Sequence, residues 1–389
     1  MTTDCSPETT VTGPVNRYDR MEWAGAFGDL GTLIPFVAAY IGVLKLDPFG
    51  VLFAFGISMI VCGFYYKTPF PVQPMKAIGA VASIQAVQTA VVTPAAVYSA
   101  ALATGLLWLL LGLSGLMGRL SKLVPPTVVI GIVLGLGFGF MLQGIKMMQT
   151  DWIIALIGAG GTLLLMGNRT VPAMFVLIAF GAVVGCVQHP ELVSRLANAS
   201  IGFTAPSFAL GDITWNQLFV GVVLLALPQV PLTLGNAVIA IADENNRLFP
   251  QCPVSEGKVA VSTGIMNMFS GVVGGIPMCH GAGGMAAHVA FGARTGGSVV
   301  ILGGLLLGLA LFFSHSVDAL FQLFPTAVLG VVLFLTGVQL AAGSSVLPAG
   351  RGDRIVVLVC AALCMWNVAA GFLLGIALDR LNKANFLKL

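Results

Sequence analysis

Long apolar segments alternate with short polar ones along almost the whole chain. Runs such as 95–117, 127–142 and 299–313 contain no charged residue. A helix needs roughly 20 mostly apolar residues to cross the hydrocarbon core of a bilayer. The pattern predicts an all-α polytopic membrane protein with fourteen spans, at 21–44, 49–66, 74–91, 95–118, 126–145, 151–167, 171–188, 215–242, 256–273, 281–294, 297–314, 325–342, 354–367 and 368–380.

Two of these spans are interrupted in the same unusual way. The sequence TPFPVQPMK at 68–76 leads into the third span, and GGIPMCHGAGG at 274–284 leads into the tenth. Both place prolines or glycines where a helix would begin, and both continue as an apolar, alanine-rich segment. A helix that begins inside the membrane presents backbone N–H groups and the positive end of its dipole, which favours an anion. Paired interruptions in the two halves of a chain indicate the substrate site of a transporter.

An internal repeat relates the two halves of the chain. PTVVIGIVL at 126–134 and PTAVLGVVL at 325–333 are identical at six of nine positions. The interruptions at Pro71 and Pro277 are separated by a similar distance, 206 residues. Each half holds seven spans, an odd number, so the second half must lie inverted and the half-helices of spans 3 and 10 should meet at mid-membrane. The predicted boundaries are a cytosolic tail at 1–20, a first repeat at 21–189 and a second repeat at 212–380.

Composition and charge support a membrane protein and predict its orientation. Hydrophobic residues make up 57% of the chain and charged residues 8%, against about a quarter charged in soluble domains. With the N-terminus in the cytosol, fourteen of the eighteen lysines and arginines lie on the cytosolic side of the predicted spans. Lys45, Lys146 and Arg195 lie outside, and Lys76 falls within the membrane. This asymmetry predicts that both termini are cytoplasmic, in the cell (inner or plasma) membrane.

The same composition disfavours several partners and cofactors. No basic stripe offers a footprint for nucleic acid, and residues 1–20 lack the apolar region of a signal peptide. The seven cysteines include no CxxC pair, so we predict no disulfide framework, no metal and no cofactor. The composition does require a lipid bilayer around the chain.

Lys76 and Asp29 are ionisable residues inside predicted spans. A lysine at mid-membrane costs roughly 2.5–3.5 kcal/mol on insertion scales, so its charge needs compensation. Lys76 either forms an ion pair with a carboxylate such as Asp29 or supplies positive charge to a dianionic substrate. The two interpretations are compatible if the substrate takes the place of the carboxylate beside Lys76. Asp29 has a coupling or structural role: a helix-packing hydrogen bond, an ion pair with Lys76, or proton transfer, the first two being favoured.

Polar residues near the interruptions are candidates for substrate binding. Gln73 and Gln229 are amides beside prolines in interrupted segments, where they either donate to an oxyanion or pair with backbone groups that the prolines leave unbonded. Thr32 and Asn236 have the same two interpretations. His280 either donates to an anion, titrates near physiological pH, or is a structural residue. The remaining candidates are its neighbours Cys279, Gly281 and Ala282, where glycine allows close approach of the backbone to a substrate or a helix.

Together these segments resemble a known family. GDLGTLIPF at 28–36, PFPVQPMK at 69–76, LPQVPLTLGNAV at 227–238, IPMCHGAGG at 276–284 and FGARTGG at 291–297 resemble the molybdate transporter branch of the sulfate permease (SulP) superfamily. The resemblance implies the seven-plus-seven inverted repeat fold of the uracil and xanthine permeases. It also implies a core domain that moves like an elevator against a gate domain. The implied division is a core of 21–118 plus 214–316 and a gate of 126–189 plus 325–380.

The chain also departs from the wider superfamily in two ways. It ends soon after the last predicted span, where typical sulfate permeases continue into a cytosolic STAS domain, and this favours molybdate over sulfate. Carboxylates that many relatives carry on spans 8 and 10 are replaced here by Gln229, Asn236 and His280. Proton coupling through those carboxylates is therefore disfavoured.

The sequence thus predicts a secondary active importer of a tetrahedral oxyanion, with molybdate as the first candidate substrate. Molybdate and tungstate are too similar in size and charge for the sequence to distinguish them. Sulfate or nucleobase transport on the same fold is the alternative, and a nucleobase site would be expected to contain a carboxylate beside the interruptions. A passive anion channel and an intramembrane enzyme using Asp29, His280 and Cys279 are disfavoured, the enzyme because no nucleophile–base spacing recurs in both halves. Coupling to protons or sodium and assembly as a homodimer stay open.

Overall fold

The computed structural model describes residues 15–42, 44–76, 78, 92–168, 170–198, 202–205, 208–343, 347–384 and 386. Residues 1–14 of the predicted tail and 79–91 of the predicted third span lie outside the described residues. The described strands are Gln73–Pro74 and Met278–Cys279, and the described helices are Arg20–Ala26, Leu30–Gly42, Pro48–Tyr66, Pro94–Leu113, Met117–Ser121, Pro126–Met148, Trp152–Leu165, Ala173–Gln188, Pro190–Ala197, Trp215–Leu248, Glu256–Val272, Ala282–Ala290, Gly297–Phe313, Val317–Leu323, Thr326–Gly343, Arg351–Trp366 and Val368–Lys383.

The described helices make the chain an integral membrane protein. Six helical stretches are long and apolar enough to cross a bilayer, when Arg20–Gly42 and Gly297–Leu323 are each taken as one stretch. The pair Ala173–Gln188 and Pro190–Ala197, bent by 101°, adds a seventh if it is one span. Other predicted spans are shorter apolar helices, such as Trp152–Leu165, or the nine-residue helix Ala282–Ala290. The count of fourteen spans stays a prediction.

Several element boundaries differ from the sequence-based ones for local reasons. The first span contains a 3-10 turn at Phe27–Asp29. The predicted helix 95–118 ends at Leu113, where Gly115 adopts a left-handed conformation with φ of +70° that an α-helix does not accommodate. The last two predicted spans are separate helices, because Asn367 lies between them and accepts a hydrogen bond from the backbone N–H of Ala370 at 3.0 Å.

The segment around Gln229 is not interrupted, which corrects the sequence-based interpretation. Pro228 and Pro231 lie inside one continuous helix, Trp215–Leu248. The helix widens to π-type hydrogen bonding at Gly221–Ala226 and Thr233–Ala240, on either side of the prolines. Proline lacks an N–H and its ring collides with the preceding turn, and a change of helical register accommodates both effects. Single π turns of this kind are frequent at functional sites.

Glycines allow several pairs of described helices to pack with their backbones in contact. A Cβ added to Gly303 would lie 2.8 Å from the carbonyl oxygen of Gly56, joining Gly297–Phe313 to Pro48–Tyr66. Similar contacts join Glu256–Val272 to Pro94–Leu113, and Thr326–Gly343 to Pro126–Met148. Small residues at helix interfaces permit such approach in membrane proteins. These pairs form the framework that holds the two interrupted segments.

Candidate substrate site

The two interrupted segments lie side by side as a short antiparallel β-ribbon. Gln73 pairs with Cys279 and Pro74 with Met278. The ribbon continues through the backbone N–H of Met75, which donates to the carbonyl of Pro277 at 2.8 Å. The segments that the sequence predicted to meet are therefore in direct contact, although the ribbon itself was not predicted.

Side chains of neighbouring helices satisfy the backbone of the ribbon. Asn267 holds Met278 at both backbone groups: its amide donates to the carbonyl at 2.5 Å and its Oδ1 accepts from the N–H at 2.8 Å. Ser270 donates to the carbonyl of Ile276 at 2.7 Å, and Tyr40 donates to that of Met75 at 3.3 Å. Extended backbone at membrane depth is tolerated only when it is buried in protein or lines a cavity. These contacts meet that condition.

A buried polar cluster anchors the first interrupted segment. Asp29, Thr32 and Gln73 are each at most 3% exposed. The amide Nε2 of Gln73 donates to Asp29 Oδ1 at 2.5 Å and to Thr32 Oγ1 at 2.9 Å, and the Thr32 hydroxyl also donates to Asp29 Oδ1. Both N–H bonds of the Gln73 amide are thus used within the protein. Among the described residues, Asp29 Oδ2 has no hydrogen-bond partner.

Lys76 lies at the end of the first interrupted segment, against an aromatic ring. Its Nζ is 4.2 Å from the centroid of Phe140, which belongs to helix Pro126–Met148. Lys76 also interacts electrostatically with Asp29. A cation over a ring face is stabilised by the ring quadrupole. The sequence did not single out Phe140, because one phenylalanine in an apolar run carries no signal that separates it from a lipid-facing residue.

The second interrupted segment contributes backbone and space. A Cβ at Gly281 would lie 2.4 Å from Gln73 Oε1, and one at Gly284 would lie 2.8 Å from Gln73 Cδ. A Cβ at Gly283 would lie 2.3 Å from the Phe140 ring. The glycines therefore let the amide and the ring sit directly against the first turn of helix Ala282–Ala290, whose first N–H groups have no acceptor within the helix.

Three other candidates lie around this helix start. Cys279 is buried in the ribbon with a free thiol. Ala282 packs into an apolar cluster with Ile132 and Phe372. Asn236 lies close to Gly281, its Nδ2 being 3.8 Å from where a Cβ of Gly281 would be. The Oδ1 of Asn236 is buried without a partner among the described residues, and a buried acceptor of this kind requires a donor such as an ordered water.

Gln229 and His280 lie close to the ribbon with their polar atoms already engaged. Gln229 Oε1 accepts from the backbone N–H of Ile78 at 3.3 Å, and its amide donates to Thr233 at 3.0 Å. His280 Nδ1 donates to the carbonyl of Pro71 at 2.7 Å, and its Nε2 is 2.7 Å from the Ser262 hydroxyl. In this arrangement His280 ties the two segments together, and neither ring nitrogen is left to donate to an anion.

The arrangement thus brings together one ammonium group, one carboxylate, several amides and a helix start. Asp29, Thr32, Gln73 and Gly281 share direct contacts, with Lys76 and Asn236 beside them. The described residues contain no group of three or more metal-ligating side chains. A cation and helix-start N–H groups around one point have the chemistry to bind an anion.

The fold defines the class of protein. It is similar to that of the transmembrane domain of a cyanobacterium bicarbonate transporter, BicA, with a TM-score of 0.58 over 90% of this chain and 96% of that one, at 15% identity. The chain therefore has the fold of the sulfate permease (SulP/SLC26) group of membrane transport proteins.

Sequence similarity then defines the family. A family model described as "Molybdate transporter of MFS superfamily" matches residues 21–140 and again 221–340. Molybdate transporter 2 of Arabidopsis thaliana is 32% identical, over 93% of this chain and 87% of that protein. Molybdate transporter 1 of the same plant is 30% identical, over 94% of this chain and 88% of that protein. The chain belongs to the molybdate transporter family.

Family membership confirms two of the sequence-based predictions. The resemblance to the molybdate transporter branch is confirmed, and so is the prediction of a transporter rather than an enzyme. The roles of individual site residues and the division into core and gate stay predictions.

Proposed function

We propose that the chain is a secondary active transporter that imports a tetrahedral oxyanion, with molybdate as the first candidate. The observation that carries this proposal is the β-pairing of the two interrupted segments beside Lys76 and the Asp29–Thr32–Gln73 cluster. Relatives at 30–32% identity are named molybdate transporters, which supports molybdate as substrate. Sulfate is the alternative substrate, and tungstate should compete because its size and charge are nearly those of molybdate.

In the proposed site, Lys76 supplies the positive charge that a dianion requires. Backbone N–H groups at the start of helix Ala282–Ala290 and the amide of Asn236 donate to the oxygens of the anion. The Asp29–Thr32–Gln73 cluster has a positioning role, because its hydrogen bonds are already satisfied within the protein apart from Asp29 Oδ2. The ammonium of Lys76 lies 4.2 Å from the centroid of the Phe140 ring.

Transport would proceed by sliding of a core, 21–118 plus 214–316, against a gate, 126–189 plus 325–380. The packing of the glycines supports this division. Among the described glycines, each added Cβ that would come under 3.0 Å of a backbone atom meets its own proposed domain or a connecting segment. Across the proposed boundary, Gly235 and Gly283 meet side chains, those of Ile132, Phe372 and Phe140, whereas Gly31 meets backbone atoms of Leu333 and Leu329 at 3.1 Å and 3.2 Å. An interface made mostly of apolar side chains, with a close backbone approach at Gly31, suits a sliding movement.

Two observations support the inverted repeat in this proposal. The family model matches two stretches of equal length that begin 200 residues apart. The close contact of span 2 with span 11 is matched by that of span 9 with span 4, as a seven-span repeat requires.

The proposal is tested by uptake of radiolabelled molybdate into proteoliposomes. We expect saturable uptake that tungstate inhibits strongly and sulfate less strongly. Lys76→Ala should abolish high-affinity uptake without loss of protein. Lys146→Ala, which removes an exposed lysine of helix Pro126–Met148 outside the site, is the matched control.

Three results would contradict the proposal or part of it. Absence of saturable molybdate uptake would refute molybdate as substrate. Uptake that rises linearly with concentration and ignores imposed proton and sodium gradients would identify a passive channel. Unchanged uptake by Lys76→Ala would remove Lys76 from the site.

A further inference from the structure

A cavity lined by several arginines lies near the end of helix Ala282–Ala290, whereas the candidate substrate site lies at the start of that helix. The cavity has a volume of about 440 Å³ and lies where the N-terminal segment, the end of helix Ala282–Ala290 and the turn after helix Trp152–Leu165 meet. Its lining includes Arg17, Arg20 and Arg294, together with Asp19 and Asn168. Volumes of a few hundred cubic ångströms are typical of small-ligand sites.

The lining carries a net positive charge. Among the described residues, the lining contains three arginines and one acidic residue, Asp19. Nη1 of Arg294 also donates to the backbone carbonyls of Val289 at 3.0 Å and Ala293 at 2.6 Å. The nearby carboxylate of Glu22 is buried and its charge is already compensated. It accepts from the backbone N–H groups of Arg294 at 3.0 Å, Thr295 at 2.9 Å and Ser298 at 3.2 Å, and lies 3.6 Å from Arg17. With Glu22 included, three arginines stand against two carboxylates among the described residues, and the excess of about one positive charge favours an anion.

Guanidinium groups are particularly suited to oxyanions. Their planar set of N–H donors matches the spacing of two oxygens on a phosphate-like group, and such charge-assisted hydrogen bonds are roughly twice as strong as neutral ones. Arginine also stays charged at all physiological pH values. The chemistry of the cavity therefore points to a compact oxyanion.

The cavity lies across the boundary between the proposed core and gate. The arginines come from the N-terminal segment and the core, whereas Asn168 comes from the gate. Arg20 already links the two sides, because its Nη1 donates to the carbonyl of Thr170 at 3.2 Å. An anion bound here would contact both sides at once and hold them in their present positions. The predicted orientation places this face in the cytosol, where an imported anion is released.

We propose that this cavity is a second oxyanion site, through which the imported anion slows its own import. The inference rests on the proposed transport function, since it takes the division into core and gate and the orientation from it. Binding at this site stabilises the present arrangement and delays the return of the core for the next transport cycle.

The first experiment measures uptake against a loaded lumen. Initial uptake of labelled molybdate is compared between empty phosphatidylcholine vesicles and vesicles loaded with unlabelled molybdate, for protein with its cytosolic face inward. We expect internal molybdate to slow uptake by the wild type roughly fivefold or more, as coupled sites typically do. Arg20→Gln and Arg294→Gln should lose this inhibition and retain uptake into empty vesicles. Lys122→Gln, an exposed basic residue on the same predicted face but outside the cavity lining, should behave as the wild type.

The second experiment is binding to purified protein, which does not depend on transport. Lys76→Ala removes the proposed substrate site, so any remaining thermal stabilisation by molybdate reports on the cavity. We expect stabilisation to persist in Lys76→Ala and to vanish in Lys76→Ala combined with Arg20→Gln.

Failure of this inference is distinguishable from failure of the transport function. If the wild type takes up molybdate into empty vesicles but internal molybdate inhibits Arg20→Gln and Arg294→Gln as strongly, the second site is refuted. If molybdate gives Lys76→Ala no thermal stabilisation, the second site is likewise refuted. If the arginine variants differ from the wild type only in vesicles that contain phosphatidylglycerol, a lipid headgroup occupies the cavity and the proposal is overturned. Absence of any uptake by the wild type refutes the transport function, and the binding measurement then decides on the cavity alone.

Discussion

The contact between Gly281 and Gln73 gives the sharpest test of the proposed site. Gly281 precedes helix Ala282–Ala290 and has an extended backbone, with φ of −145° and ψ of 130°. Alanine adopts this conformation without strain, so Gly281→Ala perturbs only the packing. The new Cβ would lie 2.4 Å from Gln73 Oε1, about 1 Å closer than an ordinary contact of at least 3.4 Å. Either the amide of Gln73 or the start of the helix must move by roughly that amount.

The size of the effect follows from the hydrogen bonds that hold the amide. Gln73 donates to the carboxylate of Asp29 at 2.5 Å and to Thr32 at 2.9 Å, so a movement of this size breaks at least one of these bonds. A hydrogen bond to a charged group contributes about 1.5–3 kcal/mol. If that energy is lost from substrate binding, the KM for molybdate rises about tenfold to 150-fold. Displacement of a binding group by 1 Å has effects of the same order.

The assay is the concentration dependence of molybdate uptake by protein of confirmed monodispersity. Gly304→Ala is the matched control, because a Cβ there meets no atom within 4 Å and alanine favours the helix. The combination of Gly281→Ala with Gln73→Ala adds a second criterion. The double variant should be less impaired than the sum of the two single variants, because truncating Gln73 removes the steric conflict. A KM for Gly281→Ala equal to that of the wild type would refute the assignment of this contact to the substrate site.

Three further predictions concern the surroundings of the site. Phe140→Leu keeps an apolar contact but loses the ring 4.2 Å from Lys76. Because a cation–π contact contributes about 0.5–2 kcal/mol, we expect a severalfold higher KM for molybdate. An unchanged KM would show that the ring does not position Lys76. His280→Ala leaves the carbonyl of Pro71 without its hydrogen-bond donor, which costs about 1–3 kcal/mol of stability. We expect a lower thermal midpoint of unfolding and little change in the KM for molybdate of the protein that stays folded. A change confined to the KM would instead indicate contact with the substrate. Glu22→Ala leaves three backbone N–H groups without their acceptor. It should therefore lower the thermal midpoint of unfolding by more than His280→Ala does. Thermal unfolding of the two variants in detergent measures this difference.

The parts of the site that the sequence predicted were those marked by backbone chemistry. Prolines and glycines at 68–76 and 274–284 interrupt apolar spans in both halves, so their meeting was predictable from the pattern and the repeat alone. Lys76 and Asp29 stood out because charges inside membrane spans are rare. Which polar atoms would bond to one another was not predictable, since the Gln73–Asp29 hydrogen bond joins residues 44 positions apart and depends on packing.

The residues that were missed illustrate different limits of the sequence. Phe140 lies over Lys76, and the apolar run around it gives no sign of that position. Asn267 was within reach of sequence reasoning, because a polar amide inside the apolar segment MNMF needs a partner. At Pro228 and Pro231 the sequence-based interpretation was wrong because it assigned a feature that the structure does not have. They suggested an interruption, but a change to π-type register lets the helix continue through them, and only the surrounding structure determines whether that happens.

The contrast between the two interrupted segments is itself a packing requirement. In an inverted repeat, both would approach the same point with similar side chains, and two large side chains there would collide. Gln73 fits only because Gly281 and Gly284 have no Cβ, since added carbons would lie 2.4 Å and 2.8 Å from its amide. Phe140 fits over Gly283 for the same reason. Where the two segments touch, the first therefore supplies the side chain and the second supplies backbone and space, so exchanging Gln73 and Gly281 should abolish saturable molybdate uptake.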